Sequence, residues 1–158
     1  MHRKLLAWIT IALWLFSFMP AGAASFSKAH AGIKYGGVVY RIGETNTKWK
    51  SKLGKYVRKL NDTNGTLASY TYTFKGQGVR VTTLYSRKLR KEKITSILVW
   101  GTKVTAAGGV KVGLGFKKMT GILGNKFTRK NGVYSYQAGS RKLQVKSSDG
   151  KIKLIKIT

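Results

Sequence analysis

The feature that most constrains this chain is its charge. Lysine and arginine contribute 31 residues and aspartate and glutamate only four, which gives a formal net charge of +27 at pH 7. Self-repulsion of this size opposes compaction of the chain. The imbalance therefore indicates a charge that is kept for a function, and nonspecific attraction to polyanions follows from it.

The first 24 residues have the three parts of a secretory signal peptide. Residues 1–4 are positively charged, residues 5–18 are almost entirely apolar, and residues 21–24 are small. The apolar run is about 14 residues long, shorter than the roughly 20 that a membrane-spanning helix needs. We therefore expect cleavage after Ala23 or Ala24, no transmembrane segment in the mature chain, and a secreted, extracellular protein that associates with the cell wall.

Removal of the leader takes away two basic residues, which leaves 29 against four acids and a net charge of about +25. The mature chain of about 134 residues is long enough for one domain with a genuine core. Cysteine is absent from the whole chain. Packing alone must therefore stabilise the fold, without the disulfides on which small exported domains often depend.

Short motifs recur in the same order in the two halves of the mature chain. The matched pairs are Ile42-Gly43 with Val112-Gly113, Tyr70-Thr71-Tyr72 with Tyr134-Ser135-Tyr136, and Lys93-Ile94 with Lys151-Ile152. A preserved order with small changes of spacing indicates an internal duplication. We predict a first unit over residues 25–101 and a second over residues 102–158.

Each predicted unit begins with a helical period and continues with a period of two. In the first unit Trp49, Leu53, Tyr56 or Val57, and Leu60 recur at helical spacing among lysines, with an interruption at Gly54. Met119 lies in the corresponding segment of the second unit. Alternation then predicts strands over residues 70–74, 78–85, 94–100, 133–138, 142–146 and 151–157. The sequence therefore predicts an α+β fold of two tandem repeats, each a short helical segment followed by about three antiparallel strands, with the helices packed on one sheet face.

The last strand of each unit departs from strict alternation. Ile94, Ile97 and Val99 stand at positions i, i+3 and i+5, and the matched residues 58 positions later do the same. One extra residue in a strand shifts the period in this way. We therefore predict a β-bulge at Thr95-Ser96 and another at Lys153-Leu154.

Several motifs share a layout of glycine, helix, leucine-glycine and strands. They are Gly109-Val110-Lys111-Val112-Gly113, Ile122-Leu123-Gly124, Tyr134-Ser135-Tyr136 and Gly150-Lys151-Ile152-Lys153-Leu154-Ile155. This layout resembles the β-lactamase-inhibitor-protein-like superfamily, which also includes small outer-membrane assembly lipoproteins. The resemblance covers most of the mature chain and implies a sheet whose exposed face binds another protein. This chain lacks the cysteine pairs common in the tandem inhibitors and is strongly basic.

The residues needed for catalysis are scarce. His30 is the only histidine of the mature chain, and with no cysteine a zinc site lacks its preferred ligands. Glu44 stands where a helix begins, Asp62 and Asp149 stand in turn sequences, and Glu92 lies among five basic residues. We therefore expect structural roles for all four acids, and no enzymatic activity, metal or cofactor.

Basic residues concentrate over residues 48–59 and 87–93, and the second run should form an exposed loop. A third cluster consists of Lys117, Lys118, Lys126, Arg129 and Lys130. The candidate polyanion-binding residues are Lys48, Lys52, Lys55, Arg58, Lys59, Arg87, Lys88, Arg90, Lys91 and Lys93. Arginine and lysine both bind phosphates and carboxylates. Tyr85 and Trp100 are the aromatic residues that we expect to be exposed beside them and available for contact.

These observations predict a secreted, strongly cationic, non-enzymatic protein that contacts anionic cell-envelope polymers. The expected partners are teichoic acid, acidic polysaccharide or lipid headgroups, and nucleic acid would bind only nonspecifically. Two alternatives stay open: an inhibitor or protein-partner module that uses the exposed sheet face, and a cationic antimicrobial protein that disturbs anionic membranes.

Overall fold

A computed structural model describes residues 25–158, and the predicted leader lies outside the described residues. The strands are β1 (Gly32–Tyr35), β2 (Val38–Arg41), β3 (Val57–Asn64), β4 (Leu67–Phe74), β5 (Val79–Ser86), β6 (Lys91–Val99), β7 (Thr105–Ala106), β8 (Val110–Lys111), β9 (Thr128–Lys130), β10 (Val133–Ala138), β11 (Arg141–Ser148) and β12 (Lys151–Ile157). The helices are α1 (Trp49–Leu53) and α2 (Phe116–Leu123), and short 3-10 turns cover Lys28–His30, Lys75–Gln77 and Ala107–Gly109.

The strands form two antiparallel sheets. The larger sheet has eight strands in the order β3-β4-β5-β6-β12-β11-β10-β9, and the smaller has four in the order β2-β1-β7-β8. Within the larger sheet, two meanders of four strands meet where β6 pairs with β12. That junction is short, because only residues 97–99 pair with residues 155–157.

The prediction of an α+β fold built from tandem helix-plus-strand repeats is wrong. The described chain is mostly β, with two antiparallel sheets and only two short α-helices, of five and eight residues. No helix within residues 25–158 is both long enough and apolar enough to span a membrane.

The predicted helix around residues 49–60 ends early. Gly54, with φ of +88°, terminates α1, and the residues that follow form β3. Val57 and Leu60 looked like part of a buried helical stripe, but they are 61% and 50% exposed on an edge strand. Their spacing fitted a helix, and pairing of this segment with β4 overrode it.

The smaller sheet was not predicted. Two of its strands have four residues and the other two have only two. Segments this short carry too few alternating positions to show a period of two. The predicted exposed loop over residues 87–93 also differs, because β6 already begins at Lys91.

The six strands predicted from alternation are all present, with ends shifted by a few residues. Both β-bulges are confirmed. Thr82 pairs with Ser96 and Thr83 with Ile94, so Thr95 is the extra residue in β6. On β12, Lys153 is the extra residue, because the pairing with β11 passes from Leu154 to Ile152.

The bulged strands of the larger sheet are hydrogen-bonded to the loops that follow β2 and β8 of the smaller sheet. The carbonyl of Ile94 accepts a hydrogen bond from the N–H of Gly43 at 2.7 Å, and the N–H of Ile94 donates to the backbone carbonyl of Glu44 at 3.0 Å. Ile152 makes the same pair of bonds with residues 113–114, at 2.8 and 2.9 Å. The first part of each strand thus keeps its pairing with β5 or β11 on one side. On its other side it pairs with a loop, because β6 and β12 pair with each other only beyond the bulges.

The core lies between the larger sheet, the two helices and the inner face of the smaller sheet. Trp49 of α1 is fully buried and meets Tyr72 and Phe74 edge-on, with ring centroids 5.1 and 5.9 Å apart. Met119 of α2 is likewise fully buried in the same cluster. Both helices therefore cover the same face of the larger sheet and leave the other face without a covering helix.

Candidate functional site

The two faces of the larger sheet differ sharply in character. On β5, Val79 and Val81 are buried, whereas Arg80 between them is exposed. On β11, Val145 is buried and Lys146 is exposed. Because successive side chains of a strand point to opposite faces, one face packs on the core and the other faces away from it. We call the second face, opposite α1 and α2, the open face.

Strand register places ten basic residues on the open face, including Lys153 at its bulge. They are Lys59, Arg80, Lys91, Lys93, Lys130, Lys142, Lys146, Lys151, Lys153 and Lys156. Threonine and serine side chains, among them Thr71, Thr73 and Thr82, fill much of the space between them. The open face is therefore cationic and rich in hydroxyl groups.

Acidic residues do little to offset this charge. Within residues 25–158 there are two ion pairs, Arg41 with Glu44 at 3.6 Å and Lys50 with Glu92, and neither includes an open-face cation. Asp62 stands at the outer edge of the open face, opposite Ser69 on β4. The cations in the middle of the face therefore have no carboxylate beside them.

Glu92 interrupts the most basic run of the sequence, yet it faces the core side. Its carboxylate accepts hydrogen bonds from Lys50 and from the buried Thr83, both at 2.5 Å. Burial alone would raise the pKa of the Glu92 carboxyl group, but hydrogen bonds from Lys50, Thr83 and Tyr72 outweigh this effect and hold its pKa below the usual range. The acid is thus kept ionised and turned away from the open face.

One of the two aromatic residues predicted to be exposed lies on the open face. Trp100 is 37% exposed, and its ring centroid lies 6.0 Å from the guanidinium of Arg80. Tyr85 is half-buried and pairs with the buried Ala68, which places it on the core side. An aromatic platform beside a cation is therefore available at Trp100 and not at Tyr85.

The structure does not bring the predicted polyanion-binding residues into one patch. Lys59, Lys91 and Lys93 lie on the open face. Arg58 lies on the core side, with its guanidinium 3.9 Å from the ring centroid of Tyr70. Lys48, Lys52 and Lys55 surround α1, and Arg87, Lys88 and Arg90 form the turn between β5 and β6.

Seven of the ten open-face cations were not among the candidate binding residues taken from the sequence. They are Arg80, Lys130, Lys142, Lys146, Lys151, Lys153 and Lys156. The signal was present in the strand pattern, since most of these residues stand next to buried valine, leucine or isoleucine. The candidate residues were chosen from clusters of consecutive basic residues. In a strand, however, lysines separated by one residue share a sheet face, whereas adjacent lysines point to opposite faces.

A cleft of about 610 Å³ lies on the outer side of the smaller sheet, and His30, Lys34 and Lys103 line it. The Nδ1 atom of His30 accepts a hydrogen bond from the backbone N–H of Ser27 at 3.3 Å. Among the described residues, no group of three or more histidine, cysteine, aspartate or glutamate side chains is placed to hold a metal ion.

No family model, no curated protein and no solved structure matches this chain. The resemblance to the β-lactamase-inhibitor-protein-like superfamily therefore stays a prediction.

Proposed function

We propose that this protein binds anionic polymers of the cell envelope, such as teichoic acid or acidic polysaccharide, on its open face and without catalysis. The observation that carries the proposal is the set of ten basic residues on that face, none of which is ion-paired with a carboxylate of residues 25–158. The predicted leader would deliver the protein to the compartment in which these polymers occur.

The geometry of a sheet suits this role. Neighbouring strands lie about 4.8 Å apart, and alternate residues of one strand lie about 7 Å apart. Several positive charges therefore stand within one Debye length, about 8 Å at physiological ionic strength, of one another. An extended polyanion laid on such a surface would contact several cations at once and release its own counterions, which favours binding.

The central test removes charge from the middle of the open face. We expect the triple variant Arg80→Gln, Lys146→Gln, Lys156→Gln to bind purified teichoic acid more weakly. The slope of log affinity against log salt should fall by about two to three, roughly one for each phosphate that the variant no longer neutralises. Isothermal titration at several salt concentrations measures both quantities.

A matched control removes the same charge from the other side of the molecule. The triple variant Lys48→Gln, Lys52→Gln, Lys55→Gln alters exposed lysines around α1 and should leave the salt slope almost unchanged. Equal losses in the two triple variants would mean that net charge alone drives binding, and the open face would lose its role. Absence of affinity at low ionic strength would end the polyanion proposal altogether.

The alternative functions predict different results in the same preparation. A partner-binding module would capture one protein from culture supernatant in a manner that resists salt, because a specific interface relies on packing as well as on charge. An antimicrobial protein would release the contents of anionic vesicles. The polymer proposal predicts neither result.

A further inference from the structure

The turn between β5 and β6 exposes an apolar side chain at the end of the sheet. We call Arg87, Lys88, Leu89 and Arg90 the β5–β6 tip. Leu89 is 65% exposed, more than any other large hydrophobic residue of the described chain. Burial would stabilise a leucine in this position, so its exposure marks a surface that can be covered by something apolar.

Hydrogen bonds hold the tip in place. The backbone N–H of Arg87 donates to the carbonyl of Thr66 at 2.8 Å, and its Nη2 atom donates to the hydroxyl of Thr63 at 3.2 Å. The N–H of Leu89 donates to the hydroxyl of Ser86 at 3.3 Å. The leucine is therefore presented by an ordered turn that is fastened to the neighbouring β3–β4 turn.

The apolar surface extends beyond Leu89 itself. Leu67, which is 39% exposed, and Leu84 line a depression of about 340 Å³ together with Leu89. Lys91 and Lys93 form part of its wall. Three leucines and two lysines thus line the same depression.

Charge at the tip has one sign. Arg87, Lys88 and Arg90 flank Leu89 within the turn, and Lys91 follows. The nearest acid in the sequence, Glu92, points to the core side and is bound by Lys50. The tip therefore presents an exposed leucine among cations that take part in neither ion pair of residues 25–158.

We propose that the β5–β6 tip docks on an anionic membrane surface, with Leu89 inserted at the boundary between headgroups and acyl chains. Arginine and lysine around an apolar side chain match this boundary, because their charged ends reach the headgroup phosphates while the leucine leaves water. Each basic residue near an anionic leaflet adds attraction. Lys91 and Lys93 belong to both the open face and this depression, but none of the three residues altered in the polymer test lines it.

Vesicle binding tests the proposal directly. The chain from residue 25 onwards is titrated with vesicles of phosphatidylcholine mixed with phosphatidylglycerol, and with vesicles of phosphatidylcholine alone. We expect binding to the mixed vesicles only. Leu89→Ala should weaken it by about tenfold, whereas Leu60→Ala, at another exposed leucine, should change it by less than about twofold.

A second measurement does not depend on affinity. Because the chain contains no cysteine, Leu89→Cys and Leu60→Cys each provide a single labelling site for an environment-sensitive dye. The dye at position 89 should shift to the blue on mixed vesicles, and the dye at position 60 should not. Equal behaviour of the two positions, or a protein partner that displaces the vesicles from the tip, would overturn membrane docking.

The two proposals fail separately. The variant Arg80→Gln, Lys146→Gln, Lys156→Gln should keep its vesicle affinity within about threefold, since it leaves the tip intact. Leu89→Ala should bind teichoic acid as the unaltered chain does. Binding to polymer without binding to vesicles would remove the docking proposal alone, and the reverse result would remove the polymer proposal alone.

Discussion

The ammonium group of Lys50 lies 2.5 Å from the carboxylate of Glu92, and this ion pair joins α1 to β6 across 42 positions of sequence. The two side chains are only 23% and 11% exposed. The pair has a second consequence, because it keeps the one acid of the most basic run away from both the open face and the β5–β6 tip. A structural contact on the core side therefore preserves the charge of the surfaces that we propose to be functional.

Removal of Lys50 should destabilise the fold. Lys50→Met would leave the Glu92 carboxylate largely buried without its cation, and we expect a loss of about 2 kcal/mol in the free energy of unfolding, below the cost for a fully buried pair. Urea denaturation followed by circular dichroism measures it. Lys52→Met, on the exposed side of the same helix, is the control and should change stability by less than about 0.5 kcal/mol.

Stability should depend on the ionisation of Glu92 in acid. Its pKa is lowered in the folded state, because the hydrogen bonds from Lys50, Thr83 and Tyr72 exceed the opposing effect of burial. The stabilisation is therefore present above the usual pKa of 4.5 and is lost as pH falls through the lower folded-state value.

The variant Glu92→Gln should be less stable at neutral pH and should lose less stability on acidification. The free energy of unfolding measured between about pH 6 and pH 3 gives both slopes. Asp149→Asn is the matched control, since Asp149 is exposed in the β11–β12 turn, and it should keep the acid dependence of the unaltered chain. If the free energy of unfolding fell equally with pH in Glu92→Gln and in the unaltered chain, another carboxyl group would be responsible for the loss of stability in acid.

The strands were easier to predict from sequence than the helices. Residues such as Val79, Val81 and Val145 alternate with polar residues, and burial of one sheet face with exposure of the other favours this pattern. The bulges were predictable for the same reason, because an extra residue at Thr95 changes the phase of the buried positions. The strand that follows Gly54 was not predictable, because its apolar residues are exposed and therefore do not mark a buried face.

The open face could not be found from clusters of charge. Lys156 and Arg80 are 76 positions apart in the chain. They stand on either side of Leu98 on the open face only because β12 pairs with β6 and β6 with β5. That junction is set by three residue pairs between strands of distant parts of the sequence. By contrast, residues 48–59 form one basic cluster in the sequence, but in the structure they are divided between α1 and β3.

Two glycines should respond in opposite ways to alanine. A Cβ on Gly101 would lie 2.1 Å from the carbonyl oxygen of Gln77, so Gly101→Ala must displace backbone and should cost about 1–3 kcal/mol. Gly121 is exposed within α2, with no atom within 4 Å of an added Cβ. Gly121→Ala should therefore stabilise the protein by about 1 kcal/mol through helix propensity. Thermal unfolding of the two variants measures the difference, and a shift of the same sign in both would contradict the predicted packing.

Trp100 offers an optical test of the open face. It is 37% exposed beside Arg80, whereas Trp49 is 1% exposed in the core. Iodide should accumulate at a cationic surface and quench Trp100 more strongly than caesium does, and added salt should reduce the difference. The fluorescence of the chain minus that of Trp100→Phe isolates this residue from every other tryptophan.

Arg80→Gln should lower the iodide quenching of Trp100 and leave quenching by neutral acrylamide nearly unchanged, because it removes local charge and not access to the ring. Bound teichoic acid should then protect Trp100 from both quenchers, since a polymer lying on the open face covers the ring as well as the cations. Equal quenching of Trp100 by iodide and caesium would show that the open face does not concentrate anions. If the polymer still protected Trp100 in that case, binding at the open face would not depend on its positive charge.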